Sequence, residues 1–329
     1  MEHYNLDVVV TRGDAVESRH QVRAAAVDAR GRLIGVAGDA ARVTFWRSCA
    51  KPFQLMPLLE SGGFDELPWG IDELALASAS HGGEPEHVAV AESMLQDIGR
   101  EEGDLVCGPH EPLSSRGARL VRETGIRLTR LHNNCSGKHA AMMALAHTQG
   151  WPMRGYERAE HPVQQAAAES VARWTGVAPD ALVRAVDGCG VVVFGLPLEA
   201  MARAYARFAV AHLRCEEVPR RIVEAVRARP LLFGGTDRFD TVLLEETDGR
   251  ILAKVGAEGV HSATVLDAGI GVAVKVADGA TRAQVPALLR LLQRVGALPD
   301  TLPPRLAEFL RRPVRNTRGE HVGSVGPEA

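Results

Sequence analysis

The two ends of the chain carry the β-forming segments, and a long helical region separates them. N-terminal strands are expected over about residues 5–40, and C-terminal strands with one helix over about 239–296. The residues between them, about 84–228, show helical periodicity interrupted by glycine and proline. Strands from both ends can pair in one antiparallel sheet around the helical middle, which predicts an α+β fold with residues 1–329 in a single domain.

Turn residues and apolar runs place the individual elements. Strands are predicted at 5–11, 22–27, 32–36, 239–244, 251–256 and 269–276. Helices are predicted at 85–100, 137–148, 161–174, 198–213, 218–227 and 282–295.

Composition and charge limit the classes of partner. The 329 residues are 46% hydrophobic and 24% charged, as in a globular protein with a substantial core. The net charge is −3, and positive and negative residues are scattered along the chain without a basic stripe. We therefore expect a small molecule as partner, and we do not expect nucleic acid or a membrane. Residues 1–7 lack a signal-peptide pattern and no run of 18 apolar residues follows, so a cytoplasmic location is predicted.

A hydroxyl and an amine lie three residues apart, at Ser48 and Lys51, where an apolar helix is predicted to start. Residues at i and i+3 share a helix face. Serine is a weak nucleophile until a base takes its proton, and lysine can be that base only if burial or a second cation lowers its pKa. The neighbours Trp46 and Phe53 favour such burial. This Ser-x-x-Lys pattern therefore predicts nucleophilic catalysis.

Two later residues extend that pattern. Ser80 lies where an apolar segment gives way to a loop, and Lys254 begins a Lys-x-Gly sequence at the end of a predicted strand. Penicillin-recognising enzymes and β-lactamases have the same order of motifs along the chain: Ser-x-x-Lys, then a polar loop motif, then a lysine and a glycine on a strand. Lys254 is therefore predicted to project toward Ser48 and Ser80.

A second polar cluster, residues 132–139, opens an apolar helix and contains Cys135 and Lys138 at i and i+3. Cys189 lies in a separate tight turn at residues 187–190. Five cysteines without a signal peptide indicate free thiols or metal ligands. Two cysteines are too few for a structural zinc site, and the candidates for a third ligand are Lys138, His139 and Asp187.

Together these motifs resemble the Rhizobium etli-type L-asparaginases, the class 3 or asparaginase II family, over about residues 8–323. The similarity is carried by residues 47–52 (RSCAKP), 79–81 (ASH), 134–139 (NCSGKH), 187–189 (DGC), 254–256 (KVG) and 315–319 (RNTRG). The chain departs from the family pattern at Cys49, at 82–83 and at 190–193.

The resemblance implies a serine β-lactamase-like fold, a homodimer, and hydrolysis of L-asparagine to L-aspartate and ammonia. It implies two catalytic Ser-Lys pairs, Ser48 with Lys51 and Ser80 with Lys254. It also implies a Zn²⁺ ion held by Cys135, Lys138 and Cys189, and a substrate pocket that includes Arg47, Asn134, His139 and Asp187.

Two other functions stay open at this point. A β-lactamase or penicillin-binding-like hydrolase would use the same serines and lysines, although such enzymes work in the periplasm. A non-enzymatic zinc- or thiol-binding protein would have no amidase activity for Ser48→Ala to remove. Within the amidase hypothesis, either serine is a candidate for acylation, and the zinc either takes part in the reaction or orients the substrate.

Overall fold

Strands lie mainly near the two ends of the chain and helices mainly between them, in a computed structural model that describes residues 1–328. The strands are β1 Glu2–His3, β2 Val8–Arg12, β3 Ala15–His20, β4 Val22–Val27, β5 Leu33–Ala37, β6 Val43–Phe45, β7 Val183–Val186, β8 Val192–Pro197, β9 Ile251–Val255, β10 Val260–Val265, β11 Ile270–Val276, β12 Arg312–Arg315 and β13 His321–Pro327. The helices are α1 Lys51–Glu60, α2 Ile71–Ala77, α3 Pro85–Asp97, α4 Ser115–Thr124, α5 Ser136–Thr148, α6 Pro162–Thr175, α7 Leu198–Leu213, α8 Glu217–Ala228, α9 Pro230–Phe233, α10 Phe239–Glu246, α11 Thr281–Arg294 and α12 Pro304–Leu310. The predicted α+β class is confirmed.

The chain divides into two compact units. Unit 1 comprises Met1–Cys49, Leu196–Arg214 and the residues from Val242 onward, and unit 2 comprises Ala50–Gly195 and Cys215–Thr241. Unit 1 therefore contains both chain ends and most strands, and unit 2 is largely helical. The single domain expected from the sequence stays a prediction.

The larger sheet of unit 1 joins strands from both ends of the chain, in the order β1-β5-β4-β11-β10-β9. Strand β4 runs antiparallel to β11, with Ala25 opposite Ala273, and antiparallel to β5. Strands β9, β10 and β11 form an antiparallel meander, and the short β1 pairs parallel with β5. The predicted antiparallel pairing of N- and C-terminal strands is confirmed.

Two helices cover the strands of unit 1. Helix α7 packs on β4, β10 and β11, and α11 contacts β10 and β11 as well as β2 and β13 of a second sheet, ordered β12-β13-β2-β3. Gly271 of β11 allows the close approach of α7, because a Cβ there would overlap the backbone of Ala202 and Ala206. The absence of a side chain at Gly271 thus fixes how closely helix and sheet pack.

Helix α5 is the central element of unit 2, and it is buried continuously from Ser136 to Ala146. Helices α1, α2, α3 and α6 pack around it. Small or apolar side chains all round a helix favour complete burial, and the sequence of α5 has this character.

None of the helices described in residues 1–328 has both the length and the apolar character of a membrane-spanning segment.

One predicted element is wrong. Residues 239–244 were expected as a strand but belong to helix α10, Phe239–Glu246. Phe239, Val242 and Leu243 recur at i, i+3 and i+4, and all three are buried. That spacing is the helical period, and it outweighs the β-like run of neighbouring apolar residues.

Glu84 connects three segments of unit 2 through a buried carboxylate at the start of α3. Its Oε1 accepts a hydrogen bond from Thr236 N at 2.7 Å, and its Oε2 accepts from Thr236 Oγ1 at 2.8 Å and from Arg116 Nη1 at 2.6 Å. Burial raises the pKa of Glu84, but these hydrogen bonds outweigh burial and hold the pKa below its ordinary value of 4.5. The ionised carboxylate therefore stabilises the fold.

Glu84→Gln is expected to lower the free energy of unfolding by about 2 kcal/mol at neutral pH, because hydrogen bonds to a charged group are lost. A depressed pKa contributes stability that is present above the unfolded pKa near 4.5 and lost as pH falls through the folded pKa. The difference between wild type and variant should therefore shrink below about pH 4.5 in urea titrations. Glu86→Gln, which removes the exposed partner of the same Arg116, should cost about 0.5 kcal/mol or less. Equal losses for both variants would contradict this account.

Candidate active site

Lys51, the first residue of α1, is completely buried in unit 2. Its Nζ lies 2.6 Å from Ala79 O, 3.0 Å from Ser80 Oγ and 3.0 Å from Asn134 O. Burial lowers the pKa of Lys51, and the positive charge of Lys138 lowers it further, against an opposing effect of Cys135. A buried amine beside a serine hydroxyl is the arrangement that proton transfer from serine requires.

Asn134 connects Lys51 to the predicted metal ligands. Its Oδ1 accepts a hydrogen bond from the Cys135 thiol at 3.0 Å and lies 3.4 Å from Lys51 Nζ. Its backbone N–H and its Nδ2 both lie near His110 Nε2, at 3.0 and 3.1 Å. His110 Nδ1 lies 2.7 Å from Glu111 O, which can only accept, so Nδ1 carries the proton and Nε2 accepts from Asn134. His110 thereby fixes the orientation of the Asn134 side chain.

Sequence reasoning missed His110. The residue stands alone in a loop without periodicity, 24 positions before Asn134. A histidine among glycine and proline in a long loop was the only signal available in the sequence.

Cys135, Lys138 and Cys189 come together in unit 2, and all three are buried. Lys138 Nζ donates a hydrogen bond to Cys189 Sγ at 3.1 Å. The interaction with neighbouring Cys135 and the positive charge of Lys138 lower the pKa of Cys189 to about 5, although burial opposes this. The interaction with Cys189, together with burial, raises the pKa of Cys135 to about 12. The cluster thus contains one thiolate, one thiol and one ammonium, and the thiol and the ammonium must each lose a proton before they can bind a metal.

These three residues fit a zinc ion. Thiolates and a neutral nitrogen are the donors that zinc prefers, at about 2.3 Å from sulfur and about 2.0 Å from nitrogen. Tetrahedral ligands at those lengths lie roughly 3.5 Å apart, a few tenths of an ångström from the observed separation of Lys138 Nζ and Cys189 Sγ. Within residues 1–328, His, Cys, Asp and Glu side chains form no group of three or more that could hold a metal, so a metal in this cluster would need Lys138 as its third ligand.

His139 and Asp187 lie at the edge of this cluster. His139 is fully buried, and burial together with the charge of Lys138 lowers its pKa to about 3, so the ring is neutral. Its Nδ1 lies 2.7 Å from the hydroxyl of Tyr156. Asp187 is half-buried, its Oδ1 accepts from Gly188 N at 2.8 Å, and its negative charge helps to raise the pKa of Lys138 against the effect of burial.

Unit 1 contains the remaining predicted residues. Arg47 and Ser48 are half-buried in a short 3₁₀ turn, Arg47–Ala50, that runs directly into α1. Arg47 has φ of +53°, a left-handed conformation that is uncommon for a residue with a side chain. Such strain persists only where surrounding contacts hold it.

Lys254 is fully buried on β9, and its Nζ donates to Val255 O at 3.1 Å. Its backbone oxygen accepts a hydrogen bond from the Cys49 thiol at 2.9 Å, so the turn that carries Ser48 packs against the end of β9. A Cβ at Gly256 would lie 3.0 Å from Cys49 Sγ, which explains why glycine follows two residues after the lysine. The structure thus brings the Ser48 turn into contact with the backbone of Lys254 within unit 1, and the projection of the Lys254 side chain toward Ser48 and Ser80 stays a prediction.

A sequence profile of L-asparaginase II matches residues 8–327. The chain belongs to the L-asparaginase II family. This agrees with the resemblance inferred from the motifs, and membership makes the protein an amidohydrolase that acts on a small molecule.

Solved structures with partial similarity were also found. One of Mglu has 16% identity and a TM-score of 0.38, with 86% of this chain and 69% of that chain covered. A β-lactamase from Mycobacterium bovis has 13% identity and a TM-score of 0.42, covering 84% and 96%. A Bacillus glutaminase has 15% identity and a TM-score of 0.36, covering 84% and 91%. The chain spans between 61% and 69% of the Mglu chains it matches, and no curated relative matches the sequence.

Proposed function

We propose that this member of the L-asparaginase II family hydrolyses L-asparagine to L-aspartate and ammonia, with Ser48 as nucleophile and Lys51 as general base. The observation that carries the proposal is the completely buried Lys51 amine, 3.0 Å from Ser80 Oγ. Ser48 precedes Lys51 by three residues in a turn continuous with α1.

The contacts of Lys51 fit a neutral amine. A neutral amine has two N–H donors, which Ala79 O and Asn134 O can accept, and one lone pair, which the Ser80 hydroxyl can reach; Asn134 Oδ1 is a more distant acceptor, at 3.4 Å. Both carbonyls can only accept, whereas a hydroxyl can donate to the lone pair. Ser80 is therefore proposed to pass protons to and from Lys51, and Lys254 is proposed, from the family resemblance alone, as the second lysine of that relay.

Charge selects the substrate in this proposal. L-Asparagine carries an ammonium and a carboxylate, so a selective pocket needs an anion and a cation. Asp187 is proposed for the ammonium and Arg47 for the carboxylate, with Asn134 and His139 as hydrogen-bonding neighbours. The distance from these two charged groups to the side-chain amide of L-asparagine then determines whether the amide carbon lies within reach of Ser48 Oγ.

Cys135, Lys138 and Cys189 are proposed to hold Zn²⁺. When bound, zinc would supply a positive centre that polarises or orients an oxygen of the substrate. Asn134 lies between this site and Lys51, because its Oδ1 is 3.0 Å from Cys135 Sγ and its backbone oxygen contacts Lys51 Nζ; the thiol proton of Cys135 would leave when zinc binds. The homodimer and the cytoplasmic location implied earlier also stay predictions.

L-Glutamine is expected to be a poor substrate. It is one methylene longer, so a pocket that holds both charged ends would displace its amide carbon by about 1 Å from Ser48 Oγ, which costs on the order of 100-fold in kcat/KM. Ammonia release from both amino acids, measured over matched concentrations, checks this ratio. Equal kcat/KM values would refute the pocket geometry while leaving the amidase proposal intact.

The proposed reaction is tested by measuring ammonia and aspartate from purified protein with L-asparagine. Equal amounts of the two products are expected. The same preparation should not hydrolyse nitrocefin, a β-lactam reporter. Nitrocefin hydrolysis without ammonia release would replace the proposal by a β-lactamase function.

A further inference from the structure

Tyr156 lies between two polar partners in unit 2, and only 1% of the residue is exposed. Its hydroxyl oxygen accepts a hydrogen bond from the backbone N–H of Val106 at 3.1 Å and lies 2.7 Å from His139 Nδ1. The two rings meet edge to face, with centroids 5.7 Å apart and planes at 85°. Gln164 Nε2 donates to the backbone oxygen of Tyr156 at 2.8 Å and anchors the residue. The phenol is therefore held in place from three sides.

The hydroxyl proton of Tyr156 can be assigned from these contacts. A phenol is both donor and acceptor, whereas the Val106 amide can only donate. Among the described contacts of this hydroxyl, His139 Nδ1 is the only group able to accept. If Nδ1 carried a proton and donated instead, the phenol proton would be buried without an acceptor, which is energetically unfavourable. Tyr156 therefore donates and Nδ1 accepts.

This hydrogen bond determines the tautomer of His139. A ring nitrogen that accepts a hydrogen bond carries no proton, so acceptance at Nδ1 leaves the ring proton on Nε2. Nε2 is fully buried and has no hydrogen-bond partner within residues 1–328. His139 directly follows Lys138, a residue of the candidate site, in the buried first turn of α5. A buried N–H donor without a protein partner at such a place indicates an acceptor on a ligand.

We infer that Tyr156 is a positioning residue that holds His139 as the Nε2–H tautomer, and that this N–H donates to a carboxylate or amide oxygen of the substrate. The nature of the acceptor rests on the proposed function. The tautomer rests only on the protein's own contacts, so the two can be tested separately.

The tautomer is tested by ¹⁵N NMR of protein labelled at histidine nitrogens. His139→Gln identifies the His139 signals by their disappearance. In wild-type protein we expect a protonated Nε2 and an unprotonated, hydrogen-bonded Nδ1, and in Tyr156→Phe a shift of the Nδ1 signal as its hydrogen bond is lost. A protonated Nδ1 in wild-type protein would overturn the inference, whatever the enzyme hydrolyses.

The effect on the substrate is tested by a double-mutant cycle. Tyr156→Phe should raise KM for L-asparagine about 10-fold with kcat changed less than about 3-fold, because a hydrogen bond to bound substrate is weakened. Glutamine in His139→Gln presents an amide N–H that needs no tautomer control, so Tyr156→Phe should change KM less than about 2-fold in that background. Tyr4→Phe, which removes a half-buried phenol in unit 1, should leave both constants unchanged.

Equal rises in KM in both backgrounds would show that Tyr156 has only a structural role and would overturn the inference. If wild-type protein releases no ammonia from L-asparagine, the proposed function fails instead, and the NMR result alone then decides the role of Tyr156.

Discussion

Replacing Lys51 with methionine is expected to lower kcat for L-asparagine hydrolysis by about 10³-fold. Methionine has similar length and suits a buried site, but it cannot take a proton from a serine hydroxyl. A positioned general base contributes about 10²- to 10⁴-fold, and Lys51 is the buried amine that contacts Ser80 Oγ and the backbone of Asn134. Steady-state ammonia release by folded variant and wild type, compared at saturating L-asparagine, measures this loss.

The chain offers a matched control in Lys275, a half-buried lysine of unit 1 whose Nζ also donates to backbone carbonyls, those of Glu258 and Val276. Lys275→Met makes the same chemical change at a lysine outside every site motif, and it should change kcat less than about 2-fold. If Lys51→Met keeps more than about a tenth of wild-type kcat, Lys51 is not the base.

Replacing Cys189 with alanine is expected to weaken zinc binding on the order of 100-fold. Structural zinc sites bind the metal with a free energy of about 10–16 kcal/mol, to which all their ligands contribute. The loss of one thiolate therefore costs about 3 kcal/mol of binding free energy. Cys189 is the thiol whose pKa is lowered to about 5, and it lies 3.1 Å from Lys138 Nζ, so it is the ligand best prepared to bind. Competition with a chromophoric chelator measures the change in affinity.

Cys107 provides the control for this prediction, because it is also a buried cysteine of unit 2 but lies outside the predicted ligand set. Cys107→Ala should keep the zinc affinity of wild type. Protein purified without chelator that contains no zinc, and binds none on titration, would remove the metal from the account.

The elements predicted best from the sequence are those with strong local periodicity. Helix α7 spans the predicted residues 198–213, and α5 starts one residue before its predicted position. The pairing of β4 with β11 followed from the position of strands at both chain ends. Strands β12 and β13, which build the second sheet with β2 and β3, were not predicted, because their residues 312–327 lack a clean alternation of apolar and polar residues.

For the candidate site, the sequence indicated which residues belong to the site, but it indicated less clearly which of these residues contact each other. The apolar neighbours of Lys51 predicted its burial, and spacing predicted that Cys135 and Lys138 share a helix face. The contact between Lys51 and Ser80 joins residues 29 positions apart, which no local pattern encodes. His110 and Tyr156 were missed for the same reason, since each acts through a partner remote in sequence.

Ammonia release from L-asparagine by wild type and by Ser48→Ala tests the central claim most directly. The account predicts equal amounts of ammonia and aspartate from wild type. In folded Ser48→Ala it predicts a loss of at least about 10³-fold in kcat, because the variant has no positioned nucleophile and the reaction then depends on unpositioned water. Ser61→Ala, at the other end of α1, should keep wild-type turnover. Near-wild-type turnover by Ser48→Ala, or no ammonia from the wild-type enzyme, would contradict the account.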